Sequence, residues 1–397
     1  MNEITVVGGG LGGLVAAISA REFGHRVVLC EAHLQLGGRA RTAEGEFRAN
    51  RGPHVVYDDG ALWAWLHVRG LAEPAAKAPL TRPMYFRVNG TRRRIPPLRL
   101  ARGLRRVQKG TAPVEASFLE WASELVGETC ARQLANFAGV VTFDHDPGRF
   151  SAAFLQERII RASKLPPAAR YMPGGWSTLI ERLAHHATDL GVEIHTDCRV
   201  NELPNNPTVL AIPNRNARLL LGDADLADNG TTVVTLDVGL DGKPKPPFIV
   251  SDLDASGWVE TFTYPDPSLA PRGQHLVQAQ AGARPDESLD EGVERLEALL
   301  DVGIPGWRTR EVWRRRARYD NETGAVDLPT RTWRDRTPIR QRDNVMIVND
   351  QVAAPGLLSE VSLNAAIEAI YLLTNRHVPL QPNVGSTSER HTKRNNS

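Results

Sequence analysis

The sequence predicts an α/β protein that opens on a βαβ unit. Three observations lead there. A β-branched run at residues 4–7 ends in the glycine-rich turn "VVGGGLGGLVAA" and passes directly into an apolar helix pattern. A second β-branched run, "VVLCE" at residues 27–31, then closes a βαβ unit of about 30 residues. Strand and helix patterns go on alternating almost to the end of the chain.

The first helix is expected over residues 11–23, with Leu14, Ala17 and Ile18 at i, i+3 and i+4 as its buried face and Gly24 ending it. Ser117 and Glu120 form a capping box that opens a helix carrying Phe118, Trp121 and Leu125 on one face. Ser151 is placed to cap a helix through Ile160. Residues 176–190 are amphipathic through Leu179, Ile180, Leu183, Ala187 and Leu190, and Gly191 stops them. Residues 192–200, 208–212, 248–250 and 345–348 read as strands, and 360–373 as a final helix. The stretch "WRTREVWRRRARY" at residues 307–319 reads as a helix packing Trp313 inward with its arginines in water. Residues 379–397 are polar and are expected to be disordered.

The chain has 397 residues, of which 41% are apolar, so two or three domains with sizeable cores fit. A net charge of +2 makes no electrostatic case for a nucleic-acid partner, and none is expected. Cys30, Cys130 and Cys198 are widely spaced with no CxxC pair. That pattern fits a reducing compartment and argues against a disulfide framework or a cysteine-rich zinc site. No run is long and apolar enough to span a bilayer, and "MNEITVVGGG" lacks the features of a secretory signal. The expectation is a cytoplasmic protein, soluble or at a membrane surface.

Gly8, Gly10 and Gly13 form a GxGxxG turn between strand and helix, the context that gives the pattern meaning. Gly8 permits the tight turn, Gly10 lets a diphosphate approach the backbone, and Gly13 lets the helix pack on the strand. The helix N-terminus offers N–H groups and partial positive charge to phosphates. Glu31 ends the second strand, where a carboxylate accepts bonds from ribose hydroxyls and disfavours a 2′-phosphate.

From Glu31 the chain continues as "EAHLQLGGRART", with Gly37, Gly38, Arg39 and Thr42. This resembles the flavin-binding signature of the phytoene desaturase, amine oxidase and protoporphyrinogen oxidase superfamily. Two further stretches resemble it: "RYMPGGWSTLIERLAHHATDLGVEIHTDCRV" (170–200) and "VMIVNDQVAAPGLLSEVSLNAAIEAI" (345–370). "FRANRGPHVVYDDG" (47–60) is similar to the segment that reaches the flavin face in the desaturase-like branch. The resemblance implies an α/β fold with a discontinuous Rossmann-like FAD-binding domain and a smaller α+β substrate domain. It places FAD-binding parts at 1–75, 170–215 and 336–378, a cap region at 76–169 and a substrate domain at 216–335. The implied FAD contacts are Gly8, Gly10, Leu11, Gly12, Gly13, Glu31, Ala32, Gly37, Gly38, Arg39, Val200, Asn349, Asp350 and Leu358. In the family the last valine of the central segment meets the adenine through its backbone, and the closing acid bonds the ribityl or phosphate part. The family usually has Gly before that acid; here it is Asn349, a residue that tolerates left-handed backbone. The segment 203–207 is shorter than the hairpin many relatives have there.

The implied activity is FAD-dependent oxidoreduction of the phytoene desaturase-like type. A hydride would pass from a C–H bond of an apolar or amphipathic small molecule to flavin N5. An amine oxidase forming imines is one alternative, and an FAD-fold protein that binds a partner or lipid without turnover is another. His54, after Gly52 and Pro53, is placed either to orient substrate and move a proton or to bond backbone structurally. Residues 82–109 hold ten Lys/Arg and no acid, with Leu100, Leu104 and Val107 at helical spacing. They read as a solvated basic face or as a peripheral contact with anionic lipid. His185 and His186 are adjacent on a helix and share no face, so no metal site is expected.

Overall fold

The computed structural model describes residues 3–52, 55–226 and 228–380. His54 and nearly all of the 379–397 tail lie outside the described residues.

Strand β1 (Glu3–Val7), helix α1 (Leu11–Glu22) and strand β2 (Arg26–Cys30) form the opening βαβ unit. They sit in a six-stranded sheet ordered Arg340–Arg342, Val345–Ile347, Thr208–Leu210, β1, β2, Glu193–His195. All neighbours are parallel except the hairpin pair at the first edge. Three distant stretches of chain therefore build one sheet. Its strands are short and mostly buried, because α1, Trp176–Asp189 and the closing helix Ser359–Thr374 cover it.

A seven-stranded sheet runs Glu311–Tyr319, Val233–Leu240, His275–Gly282, Trp258–Thr261, Ile249–Asp252, Met84–Val88, Thr91–Arg93. Its alternation is clean. Val234, Leu236, Val238, Val277, Ala279 and Ala281 face the helix Leu289–Gly303, which opens on a capping box of Ser288 and Glu291. The other face turns toward residues 47–50 and the three-stranded sheet of Val56–Tyr57, Ala169–Tyr171 and Ala76–Lys77. A helical cluster of Leu98–Lys109, Phe118–Val126, Glu128–Phe137 and Ala152–Ala162 packs around Phe118, Phe150 and Leu155. The Ser117–Glu120 capping box is formed.

Three local expectations are corrected. The arginine-rich stretch is a strand, Glu311–Tyr319, preceded by one turn of 3-10 helix at Trp307–Arg310. Trp313, Arg315 and Ala317 point inward while Val312, Arg314 and Arg316 are exposed, a period of two rather than 3.6. The strand expected over 192–200 stops at His195, because Asp197 takes a left-handed backbone (φ 53°) and turns the chain onto residues 31–33. Ser151 precedes its helix without capping it; its hydroxyl makes no cap bond.

Candidate functional site

The glycine turn is built by steric need at two positions. Gly8 has φ +104°, and a Cβ there would stand 2.4 Å from the Ala211 carbonyl oxygen. A Cβ on Gly13 would stand 1.9 Å from the Gly8 carbonyl oxygen, so only glycine lets α1 lie this close to the turn. Gly10 differs: its backbone is extended (φ −78°), and a Cβ would meet nothing nearer than Gly37 O at 3.8 Å. The loop holding Gly37 and Gly38 lies alongside, with Gly37 N donating to Gly9 O at 2.8 Å. Gly10 and Gly38 thus line a slot walled by backbone alone.

The start of α1 opens on that slot. Its first i→i−4 bond is Leu14 N to Gly10 O; no side chain caps the helix and no acid lies in its first turn. Among the described residues the N–H groups of Leu11 and Gly12 have no backbone partner, the arrangement that bonds anions at helix starts. Gly12 itself is packed tightly, since a Cβ would stand 2.8 Å from Val348.

Glu31 is buried beside the turn and accepts from Gly9 N at 2.8 Å, His33 N at 3.0 Å and His33 Nδ1 at 2.7 Å. Burial pushes its carboxyl up, but the bonds from Gly9 and His33 outweigh that and hold it below its ordinary value. Ala32 is half-buried next to it. Val200 is half-buried against the same core, and among the described residues its backbone N–H and C=O have no hydrogen-bond partner.

The closing motif reaches the same place. Arg39 forks onto Asp350 with bonds of 2.7 and 2.8 Å and also donates to the Glu322 carbonyl. Burial opposes the charge of Arg39, but Asp350 and Glu322 overcome this and keep it charged. Glu322 pairs in turn with Arg51 at 2.8 Å and Arg215 at 3.2 Å. Asn349 does not use the left-handed backbone that the sequence suggested for it. Its amide works as a staple: Nδ2 donates to Ile212 O and Asn214 Oδ1, and Oδ1 accepts from Gln351 N. Leu358, at the start of the closing helix, is strained at φ 52° and ψ −118°. The central segment joins the first through Thr42, whose hydroxyl accepts from Ser177 N and donates to Asn50 Oδ1.

Motifs and helix periodicity gave no notice of a buried polar row on the inner face of the seven-stranded sheet. Register places Arg315, Asp237, Gln278 and Glu260 side by side across four strands. Asp237 is fully buried between Arg315 (Nε to Oδ2, 2.8 Å) and Gln278 (3.0 Å). Arg315 and Gln278 both donate to the Asn50 carbonyl. Glu260 accepts from Trp258 Nε1 at 3.2 Å and from the Tyr171 hydroxyl, and burial pushes its carboxyl up to about 7. Phe47 stacks on Trp313 at 5.2 Å and covers Gly239. The row bolts residues 47–50, which lead into the 51–57 segment, onto the sheet. Polar residues two apart, Thr235 and Asp237 in "TLDVG" and Gln278 and Gln280 in "LVQAQAG", were the available signal.

A cleft of about 450 Å³ lies elsewhere, between residues 144–149, 229–232, 283–286 and 325–336. It holds none of the expected cofactor residues; the buried pair Arg336–Asp327 lies in its wall.

Residues 6–68 match the model of the NAD(P)-binding Rossmann-like domain. A stretch of 84 residues is 34% identical to 4,4′-diapolycopen-4-al dehydrogenase of Metabacillus indicus, spanning 21% of this chain and only 17% of that protein. Among solved structures, an oxidoreductase from Methanosarcina mazei superposes with a TM-score of 0.73 at 16% identity, over 93% of this chain and 99% of that one. Cyclohexylamine oxidase of Brevibacterium oxydans superposes with a TM-score of 0.68 at 13% identity, over 94% and 98%. Residues 6–68 thus carry an NAD(P)-binding Rossmann-like domain, and the chain shares its overall fold with these solved structures.

Proposed function

We propose that this chain is an FAD-dependent oxidoreductase of the phytoene desaturase-like type. The observation that carries the proposal is the convergence of the uncapped start of α1, the side-chain-free slot of Gly10 and Gly38, and the Arg39–Asp350 pair. The donor set fits a dinucleotide. The first-turn N–H groups and glycine backbone would hold the diphosphate. Glu31 would accept from the ribose hydroxyls, and its negative charge disfavours a 2′-phosphate. The free backbone of Val200 suits an adenine edge. Arg39 and Asp350 supply a cation and an acceptor beyond the slot. When bound, FAD supplies the acceptor for a hydride from a substrate C–H bond.

The rest of the chain positions and excludes. The buried polar row holds Asn50, so the chain leaves the sheet at residues 51 and 52 from a fixed base. His54 is the residue proposed to orient substrate or move a proton. A lipophilic substrate is favoured by the relative's name, a diapolycopenal dehydrogenase. The basic helix Leu98–Lys109 supports delivery from a lipid surface. Arg99, Arg102 and Arg105 are exposed on it, and Ile95 (78% exposed) and Leu98 (66%) stand out at its start. A second reading, amine oxidation, is favoured by the two buried carboxyls, Asp237 and Glu260, on the sheet face.

The test is anaerobic mixing of the flavin-loaded protein with a panel of polyenals, fatty aldehydes and amines. Bleaching of the band near ~450 nm by an apolar substrate supports the desaturase-like reading. Bleaching only by amines supports the second, and no bleaching by any reductant removes both.

A further inference from the structure

The turn that cuts short the strand after His195 has a chemical consequence. Cys30 ends β2 in register with His195. Beyond it Asp197 N donates to His33 O at 3.1 Å, and Cys198 N donates to Glu31 O at 2.8 Å. These bonds fold the loop back beside the end of β2, where Cys198 neighbours Cys30 and the two thiols interact. Both are free and half-buried, whereas Cys130 is buried with its Sγ against Arg99 O.

We propose that Cys30 and Cys198 are a dithiol that a hydroperoxide converts into an intramolecular disulfide, tying the end of β2 to the loop that carries Val200. Burial, with the neighbouring Cys198, pushes the Cys30 thiol up to about 11, so the first attack falls to Cys198. The Cys198 sulfur takes the outer oxygen of the peroxide as the O–O bond breaks, giving a sulfenic acid and releasing an alcohol or water. The Cys30 sulfur then attacks the Cys198 sulfur, loses its proton and expels water. Two thiols lose two electrons and two protons; one peroxide is reduced. Glu31 sits between the two anchors, bonded through its N–H to His195 O and through its C=O to Cys198 N. The linkage therefore reaches the residue assigned to the ribose, a consequence that rests on the proposed function.

The experiment treats the full chain with hydrogen peroxide and reads intact mass, thiol count and peptide map. The expected result is a loss of about 2 Da and of two of the three thiols, one Cys30–Cys198 peptide pair, and reversal by dithiothreitol. Cys198→Ser removes the mass loss. Three thiols still titrating, oxygen added without a link, or a link only between chains overturns the proposal. ADP binding to the linked and reduced forms, measured by calorimetry, is expected to differ at least threefold; equal affinities overturn the coupling to Glu31. The mass readout needs no nucleotide, so its failure is separate from failure of the cofactor reading.

Discussion

Replacing Asp350 by alanine takes the two-bond partner from Arg39 and leaves the guanidinium held only by its other contacts. Asp350 is 12% exposed in its side chain and Arg39 is 36% exposed. An exposed pair contributes about 0–1 kcal/mol, and breaking a fully buried one costs about 3–5 kcal/mol. This pair lies between those limits, with bidentate geometry on one side and partial solvent screening on the other. The expected cost of Asp350→Ala is therefore about 2 kcal/mol. The assay is a double-mutant cycle in urea with Arg39→Ala, Asp350→Ala and both together. The pair should show a coupling of about 1.5 kcal/mol. A coupling below about 0.3 kcal/mol would refute the view that the first loop and the closing motif are locked together in the folded protein.

Other parts of the structure carry their own expected outcomes. Gly10→Ala should leave the melting temperature nearly unchanged and abolish nucleotide binding, because its Cβ enters only the slot. Gly13→Ala should cost about 3 kcal/mol or more, because its Cβ meets the backbone at 1.9 Å; equal behaviour of the two variants in thermal melts and ADP titration would contradict the steric assignment. Glu260 is held protonated above its ordinary range, so the folded state binds more protons than the unfolded one between the ordinary value of 4.5 and about 7. Its contribution should fall as pH rises through that window, by about 3 kcal/mol in all, and level off above it. Glu260→Gln should remove this slope from urea midpoints measured across about pH 4–8, and an unchanged slope would show the carboxyl is not buried as described. Flotation with phosphatidylserine vesicles at low salt should carry the protein upward, and the triple change Arg99→Glu, Arg102→Glu, Arg105→Glu should abolish it. No flotation of the unaltered chain leaves the basic helix a solvated face.

The glycine turn was legible because its signal is local: strand, turn, helix and acid lie within 31 residues. The capping box at Ser117 is local in the same way. Arg39–Asp350 and Cys30–Cys198 were not legible, since each joins residues that only the sheet order brings together. Asn349 misled because its residue type suggested a backbone role and its side chain took a hydrogen-bonding one. The arginine-rich strand was misread as a helix for a different reason. Its arginines are answered by acids on other elements, such as Asp237 and Glu297, so charge masked the two-residue period. The polar row on the sheet face shows the same limit: Thr235 and Asp237, and Gln278 and Gln280, alternate visibly within their own strands, but the side-by-side register was not visible.

The functional reading stands or falls on whether the slot beside α1 holds FAD. Titration of the purified chain with FAD, followed by gel filtration and a spectrum of the protein peak, decides it. One FAD per chain is expected, with a band near ~450 nm that ADP displaces and Gly10→Ala removes. A protein peak without flavin after saturation, or binding that Gly10→Ala leaves unchanged, would contradict it.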